Sequence, residues 1–473
     1  MLVRHSALYL LGRIIPGAVN LLALALYTRL LTADQYGHYA LVIAAVGIVN
    51  AVCFQWLSLG LGRFLPAHEG QPQALLSTAL TGFLIVVAIT GVLGGAVAWL
   101  WPDKTLRWFI ILAVAVGWAQ AWFDLNLKIV NVRLAPIRYG LLSSVKALLA
   151  LSVGVALFYL GLGAFGILLG LMIGLLISTL FVWKHWYGLS VRQHNMRLFK
   201  DFIGYGAPLI LTFMLTLVLD VSDRFLLGWL INAKVVGAYA AAYDLTQQSL
   251  GLLMGVVNLA AFPLVVRALE EKGVAEAQNQ LRQNALMLLV ISVPATVGLV
   301  MLADNIAVVM LGTEFREGAG NIIAVVALAI FVGGIMSYYF NYSFQLASKM
   351  GGQAWSMMWA ALANVGFNLW WIPIYGVLGA AYATLGGFVV GLSASWYLGR
   401  QIFVLPALPK ESYKVVLASV GMAASLWLTV DWRGPVVLLG QVFLGCIVYT
   451  ILLLIFDVGQ SRLALRGYLK RYL

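Results

Sequence analysis

Residues 79–100 read ALTGFLIVVAITGVLGGAVAWL, 22 positions without a charge. As an α-helix, at 1.5 Å per residue, this run crosses the ~30 Å hydrocarbon layer of a bilayer. Residues 141–160, LLSSVKALLALSVGVALFYL, repeat the pattern with a single lysine. Neither run alternates apolar and polar side chains, as the strand of a membrane barrel must. Helices in lipid are therefore the reading. Working outward, fourteen such runs follow one another: 6–31, 38–61, 76–100, 106–127, 139–160, 164–183, 202–230, 236–262, 284–303, 320–345, 354–374, 377–399, 413–430 and 435–456.

The composition agrees. Of 473 residues, 63% are hydrophobic and 10% charged, and the mean hydropathy is +0.96. A soluble chain carries roughly 45–50% apolar and 25% charged residues, and a single core stops growing near ~250–300 residues. A soluble enzyme, a disordered chain and a disulfide scaffold are excluded. The net charge of +12 comes from basic residues in short inter-helix loops. With the N-terminus cytoplasmic, about twenty Lys and Arg face inward, against Lys104, Arg107, Lys234, Arg316 and Arg433 outside. Topology, rather than a nucleic-acid partner, explains the charge, and both termini are expected in the cytoplasm. Cys53 and Cys446 each lie in an apolar run and are expected to be buried, inert thiols.

An internal repeat organises the chain. Gly37-His38-Tyr39-Ala40 is echoed by Gly237-Ala238-Tyr239-Ala240, and Gly12…Pro16 by Gly204…Pro208. Each half has six crossings, an even number, so both enter the membrane in the same sense and form a parallel repeat. The expected fold is all-α, a polytopic membrane protein of about 14 transmembrane helices. Two six-helix bundles (1–183 and 202–400) are joined by a basic cytoplasmic linker (184–201). Two extra helices and a basic tail follow (401–473).

The chain contains no Gly-x-x-x-x-Gly-Lys-Ser/Thr phosphate loop. Its five histidines show no metal-ligand spacing. No outer loop is long enough to house a reaction. No enzyme, metal or cofactor is expected. Charged and amide residues, costly within lipid, gather on the first two helices of each half: Arg13, Asn20, Arg29, Asn50 and Gln55, then Asp220, Asp223, Arg224, Asp244, Gln247 and Gln248. Asp124 and Lys146 lie on the fourth and fifth helices. Polar groups on symmetry-equivalent helices predict a shared aqueous cavity. Arg13, Lys146, Arg29 and Arg224 are the candidate substrate-binding cations, since guanidinium and ammonium groups suit an anionic head group. Asp244, Asp220, Asp223 and Asp124 are the candidate ion-coupling or gating groups. Bland alternatives stand beside these: Arg13 and Lys146 as snorkelling side chains, Asp220 and Arg224 as an i,i+4 ion pair, and Arg29 as an interface anchor. Pro16, Pro208, Pro294 and Pro373 permit bends.

Four segments carry a resemblance. Tyr27-Thr28-Arg29-Leu30-Leu31-Thr32-Ala33-Asp34-Gln35-Tyr36-Gly37-His38-Tyr39-Ala40 resembles the first hairpin of Wzx-type polysaccharide-transport proteins. These are lipid-linked oligosaccharide flippases of the multidrug/oligosaccharidyl-lipid/polysaccharide exporter superfamily. Asp223-Arg224-Phe225-Leu226-Leu227-Gly228, with Val236-Gly237-Ala238-Tyr239, resembles the start of their second half. Leu311-Gly312-Thr313-Glu314-Phe315 and Ile372-Pro373-Ile374-Tyr375-Gly376-Val377-Leu378-Gly379 resemble later hairpins. The resemblance implies paired six-helix bundles, a central cationic cavity and alternating access. It also implies transfer of an undecaprenyl-pyrophosphate-linked oligosaccharide, an exopolysaccharide or O-antigen repeat unit, across the bacterial inner membrane, driven by an ion gradient. The expected partners are that lipid-linked substrate, the bilayer, and the polymerase and other membrane proteins of the synthesis complex. Competing readings are a lipid II flippase, a drug/cation antiporter, and a non-transporting scaffold.

Overall fold

The computed structural model describes residues 2–462; the side chains described are those of residues 12 and 14–462, Pro208 excepted. Each of the fourteen apolar runs is helical. We number the helices α1 (Leu2–Leu30), α2 (Ala33–His68), α3 (Gln73–Leu100), α4 (Lys104–Val132), α5 (Pro136–Leu157), α6 (Gly163–Thr179), α7 (Met196–Leu230), α8 (Ala233–Lys272), α9 (Val274–Met301), α10 (Ala319–Leu346), α11 (Met350–Tyr375), α12 (Val377–Gly399), α13 (Ser412–Trp427) and α14 (Pro435–Phe456). No strand occurs among the described residues. The chain is a polytopic helical membrane protein. Exposed apolar side chains such as Val92 and Leu100 on α3 suit hydrocarbon and not water.

Local chemistry sets the helix ends. At the head of α2, the Gln35 N–H donates to Thr32 Oγ1 at 3.3 Å and the Thr32 N–H to Gln35 Oε1 at 3.4 Å, a reciprocal capping box. Asp103 accepts the first free N–H groups of α4 from Thr105 and Leu106, at 2.6 and 3.1 Å. Asn195 does the same for α7. The turn between α11 and α12 is made by Gly376 alone, whose φ of +58° is a left-handed conformation that any Cβ disfavours.

The chain folds as two compact units, 1–237 and 238–473. In the first, Phe54, Leu57, Leu61, Leu75, Leu125 and Phe202 form one core. Val42, Val46, Val116, Leu142, Leu168 and Leu175 form another. Here α7 packs closely on the second half of α2. A Cβ at Gly206 would stand 2.6 Å from Trp56 Cβ, and one at Gly60 would stand 2.6 Å from the Phe202 ring. The second unit is built on α8–α14, with Leu302, Met422, Leu426 and Tyr449 as one buried cluster. Both cysteines are free. The expectation of two buried thiols is corrected at both: Cys53 is half-buried and Cys446 is exposed on the apolar surface of α14.

The linker is not a loose tether. A short helical turn over Leu180–His185 follows α6, and a second covers Val191–Gln193. Trp186 Nε1 donates to Asn126 Oδ1 at 2.8 Å, with its ring 4.6 Å from that of Trp122. The Asn195 N–H donates to Thr78 Oγ1 at 2.9 Å.

Candidate functional site: a charged network within the spanning helices

Helix α2 is interrupted at its centre. Residues 50–54 wind as one π-helical turn, an insertion that displaces the following residues around the helix and recurs at functional positions. It aims Asn50 at α4. Asn50 Nδ2 donates to Asp124 Oδ2 at 2.7 Å, and Gln120 Nε2, one turn before Asp124, donates to Oδ1 at 2.9 Å. Lys146 on α5 lies within the electrostatic reach of the same carboxylate, with Nζ 5.3 Å from the centroid of the Phe123 ring. Asp124 and Lys146 are both half-buried.

Each contact has a physical cause. A carboxylate inside a membrane helix is costly unless its oxygens are hydrogen-bonded and its charge is balanced. Two amides supply the first condition and Lys146 the second. The aromatic face of Phe123 offers the ammonium a further attraction while it is removed from water. Counting helical rise, Asp124 lies ~12 Å and Lys146 ~15 Å from the nearby ends of α4 and α5, the ends joined by Arg133. The network is thus deep in the bundle, beneath the basic face.

The other candidate residues are distributed as follows. Arg29 is exposed, and its Nη1 donates to the Ala25 carbonyl at 2.5 Å. Asp223 is fully buried and Arg224 nearly so, and the Arg224 N–H donates to Asp223 Oδ1 at 2.8 Å. Asp220, one turn earlier, interacts electrostatically with both. Asp244 is half-buried on α8, three residues before a π-helical turn over Gln247–Gly251. Among the described residues, further π turns follow α5 at 158–162 and interrupt α10 at 336–340, so this feature is shared by several helices. The Arg13 side chain lies outside the described residues.

Lys146 and Asp124 entered the sequence reading under different roles, and the structure joins them in one network. In the sequence Asn50 is one polar residue among several on its helix, and Gln120 carries no charge to mark it. The i,i+4 spacing of Gln120 and Asp124 was the signal available for the second. The second unit buries polar groups that sequence reasoning passed over. Asn368 Nδ2 donates to the Asn364 carbonyl at 3.0 Å and to its Oδ1 at 3.2 Å. Tyr239 and Thr384 place their hydroxyls 3.4 Å apart. An apolar cavity of about 350 Å³ lies between α8, α9, α13 and α14, lined among others by Leu253, Pro294, Met422 and Tyr449.

The chain matches the model of a family described as polysaccharide biosynthesis protein over residues 26–320, well over half its length. It is 21% identical over 472 residues to the probable low-salt glycan biosynthesis flippase Agl15 of Haloferax volcanii, covering 96% of each chain. It is 20% identical over 400 residues to a putative O-antigen transporter of Shigella flexneri, covering 80% of this chain and 93% of that protein. Among solved structures, the lipid II flippase MurJ in an inward closed conformation superposes with a TM-score of 0.77 at 15% identity, covering 96% of this chain and 99% of that one. An outward-facing multidrug transporter of the MATE family gives 0.60 at 15% identity, covering 84% and 94%. At such identities these structures are similar in fold.

Proposed function

Because the chain belongs to the family of polysaccharide biosynthesis proteins, we propose that it moves a lipid-linked oligosaccharide between the leaflets of a membrane, as a transporter and not an enzyme. The names of both curated relatives support this reading, and the family match agrees with the resemblance found in the sequence. In its finer form, the substrate is an undecaprenyl-pyrophosphate-linked repeat unit passing from the cytoplasmic to the periplasmic leaflet of a bacterial inner membrane. Movement is by alternating access and is coupled to an ion gradient, with both termini cytoplasmic. Polymerase and other synthesis-complex proteins are its proposed neighbours. The halves 1–183 and 202–400 are proposed as its functional repeat.

The observation that carries the reading is the Asn50–Gln120–Asp124–Lys146 network. A hydrated, charged glycan cannot enter hydrocarbon without polar groups to replace its water, and a polyprenyl chain needs no such help. A lysine whose charge is balanced through the field of a nearby carboxylate, with no ion pair to it and an aromatic face beside it, is an available cation: an incoming phosphate can bind its ammonium group directly. We assign Lys146 the leading role in holding the head group, with Arg13, Arg29 and Arg224 as further candidate contacts. Asp124 is the competing anion, and Asp244, Asp220 and Asp223 are candidate coupling groups.

The test is reconstitution in proteoliposomes with three substrates: a lipid-linked oligosaccharide, lipid II and a cationic dye. Protein-dependent movement of the oligosaccharide, reduced in Lys146→Ala at equal folded protein, is expected. Dye efflux without oligosaccharide movement would assign the chain to antiport, lipid II alone to wall synthesis, and no movement of any to a scaffold.

A further inference from the structure

Two surface segments of the first unit converge outside the proposed transport path. The loop between α4 and α5 reads Arg133-Leu134-Ala135-Pro136-Ile137-Arg138, basic at both ends and apolar between. Leu134 and Ile137 are each 71% exposed. Leu134 also holds a φ of +50°, a left-handed conformation that any side chain with a Cβ disfavours and that glycine or asparagine would adopt more readily. An apolar side chain held in strained backbone at an exposed tip suits the edge of a bilayer better than water.

The second segment is the turn Leu180–His185 and the residues after it. Phe181, Trp183 and Tyr187 are exposed, with Trp183 and Tyr187 edge to face at 5.5 Å. Aromatic rings of this kind belong at the headgroup level. Val182 of the turn packs in one buried cluster with Val130 and Leu142, with Ala135 and Tyr139 against it, which sets the turn against the facing ends of α4 and α5, and His185 lies in the electrostatic field of both Arg133 and Arg138. Its Nδ1 is buried and has no hydrogen-bond partner. Arg133 is shared with Glu69, Nε to Oε1 3.6 Å. Arg138 makes no ion pair among the described residues. The notch therefore has more positive charge than its own acids balance. Trp186, bonded to Asn126 and stacked near Trp122, fixes the turn to α4, so the site is preformed.

We propose that this notch, formed by Arg133, Arg138 and His185 and rimmed by Leu134, Ile137 and Trp183, binds the phosphate of an anionic phospholipid in the leaflet on the basic side of the membrane. The arginines meet the phosphate as forked donors, and the apolar rim meets the upper acyl chains. Basic pockets of this type at helix ends recognise anionic lipids. The pyrophosphate of a polyprenyl-linked substrate offers the same chemistry. A bilayer lipid is the assigned ligand because the notch opens on the exposed rim, away from the buried Asp124–Lys146 network.

Native mass spectrometry of the full chain in detergent, titrated with phosphatidylglycerol or phosphatidylcholine, tests the assignment. The wild-type chain is expected to retain phosphatidylglycerol preferentially. Arg133→Gln with Arg138→Gln should lower that preference by about fivefold per arginine removed, while Arg192→Gln with Lys200→Gln, an equal loss of charge on the same face, should leave it unchanged. Equal losses in both double variants, or none in either, would overturn the proposal. So would displacement of phosphatidylglycerol by a small excess of undecaprenyl pyrophosphate, which would give the notch to the substrate. Apparent melting temperature in lipid-free detergent checks folding, and Arg138→Gln alone serves if the double variant unfolds.

Discussion

Replacing Lys146 by methionine keeps most of the side-chain length and removes its charge, which isolates the electrostatic link to Asp124. Breaking a fully buried contact pair costs about 3–5 kcal/mol, but Asp124 and Lys146 are half-buried and interact through the field without an ion pair, so the cost here is smaller. Asp124 would keep its hydrogen bonds from Asn50 and Gln120, at 2.7 and 2.9 Å, each worth roughly 1.5–3 kcal/mol with a charged acceptor. Those bonds and the partial exposure hold the expected loss to about 1–2 kcal/mol. Asp124→Asn alone strands the ammonium and should cost a similar amount. The double variant removes both charges and should return to within about 1 kcal/mol of wild type, a coupling well above the ~0.5 kcal/mol scatter of independent sites. Equilibrium unfolding in mixed micelles measures the cycle. Additive losses would refute the network as an electrostatic unit. Oligosaccharide flipping, measured alongside, separates structure from function. A stable double variant that no longer flips places Lys146 on the substrate, and one that flips normally makes the pair structural.

Other perturbations test different contacts. Asn50→Leu should destabilise by roughly 1.5–3 kcal/mol by leaving Asp124 Oδ2 without its donor, read by the same unfolding assay; an unchanged midpoint would deny the bond at 2.7 Å any role. Gly37→Ala is expected to cost about 1–3 kcal/mol, since a Cβ there would overlap the Ala233 carbonyl oxygen, a backbone atom that no rotamer change can move. Wild-type stability in that variant would mean the two segments do not meet. Asn305→Leu removes its bonds to Gln441, at 2.7 Å, and to the Gly434 N–H, at 2.8 Å; a loss of about 2 kcal/mol and faster proteolysis in the turn that holds Gly434 are expected. Asp244→Asn should blunt the response of flipping to an imposed ion gradient, and an unaltered response would remove Asp244 from coupling.

The solvent, the class and the helical segments are legible along the chain before any folding is known. Runs such as 79–100 leave no backbone polar group unsatisfied in lipid only as helices, so fourteen helical segments follow from composition and spacing alone. Helix ends were equally local: Thr32 with Gln35, Asp103 and Asn195 act on N–H groups two or three residues away. Pairing is not legible there. Asp124 and Lys146 read as independent charges because nothing in one dimension states that α4 and α5 face each other there, or that a π turn at Asn50 rotates an amide toward them. His185 likewise reads as one histidine in a basic linker until folding sets it beside Arg133 and Arg138, about fifty positions earlier. In lipid, the hydrophobic effect does not choose helix partners. Close packing of glycines such as Gly60 and Gly206, together with a few buried polar bonds, makes that choice, and these are contacts between residues far apart in the chain.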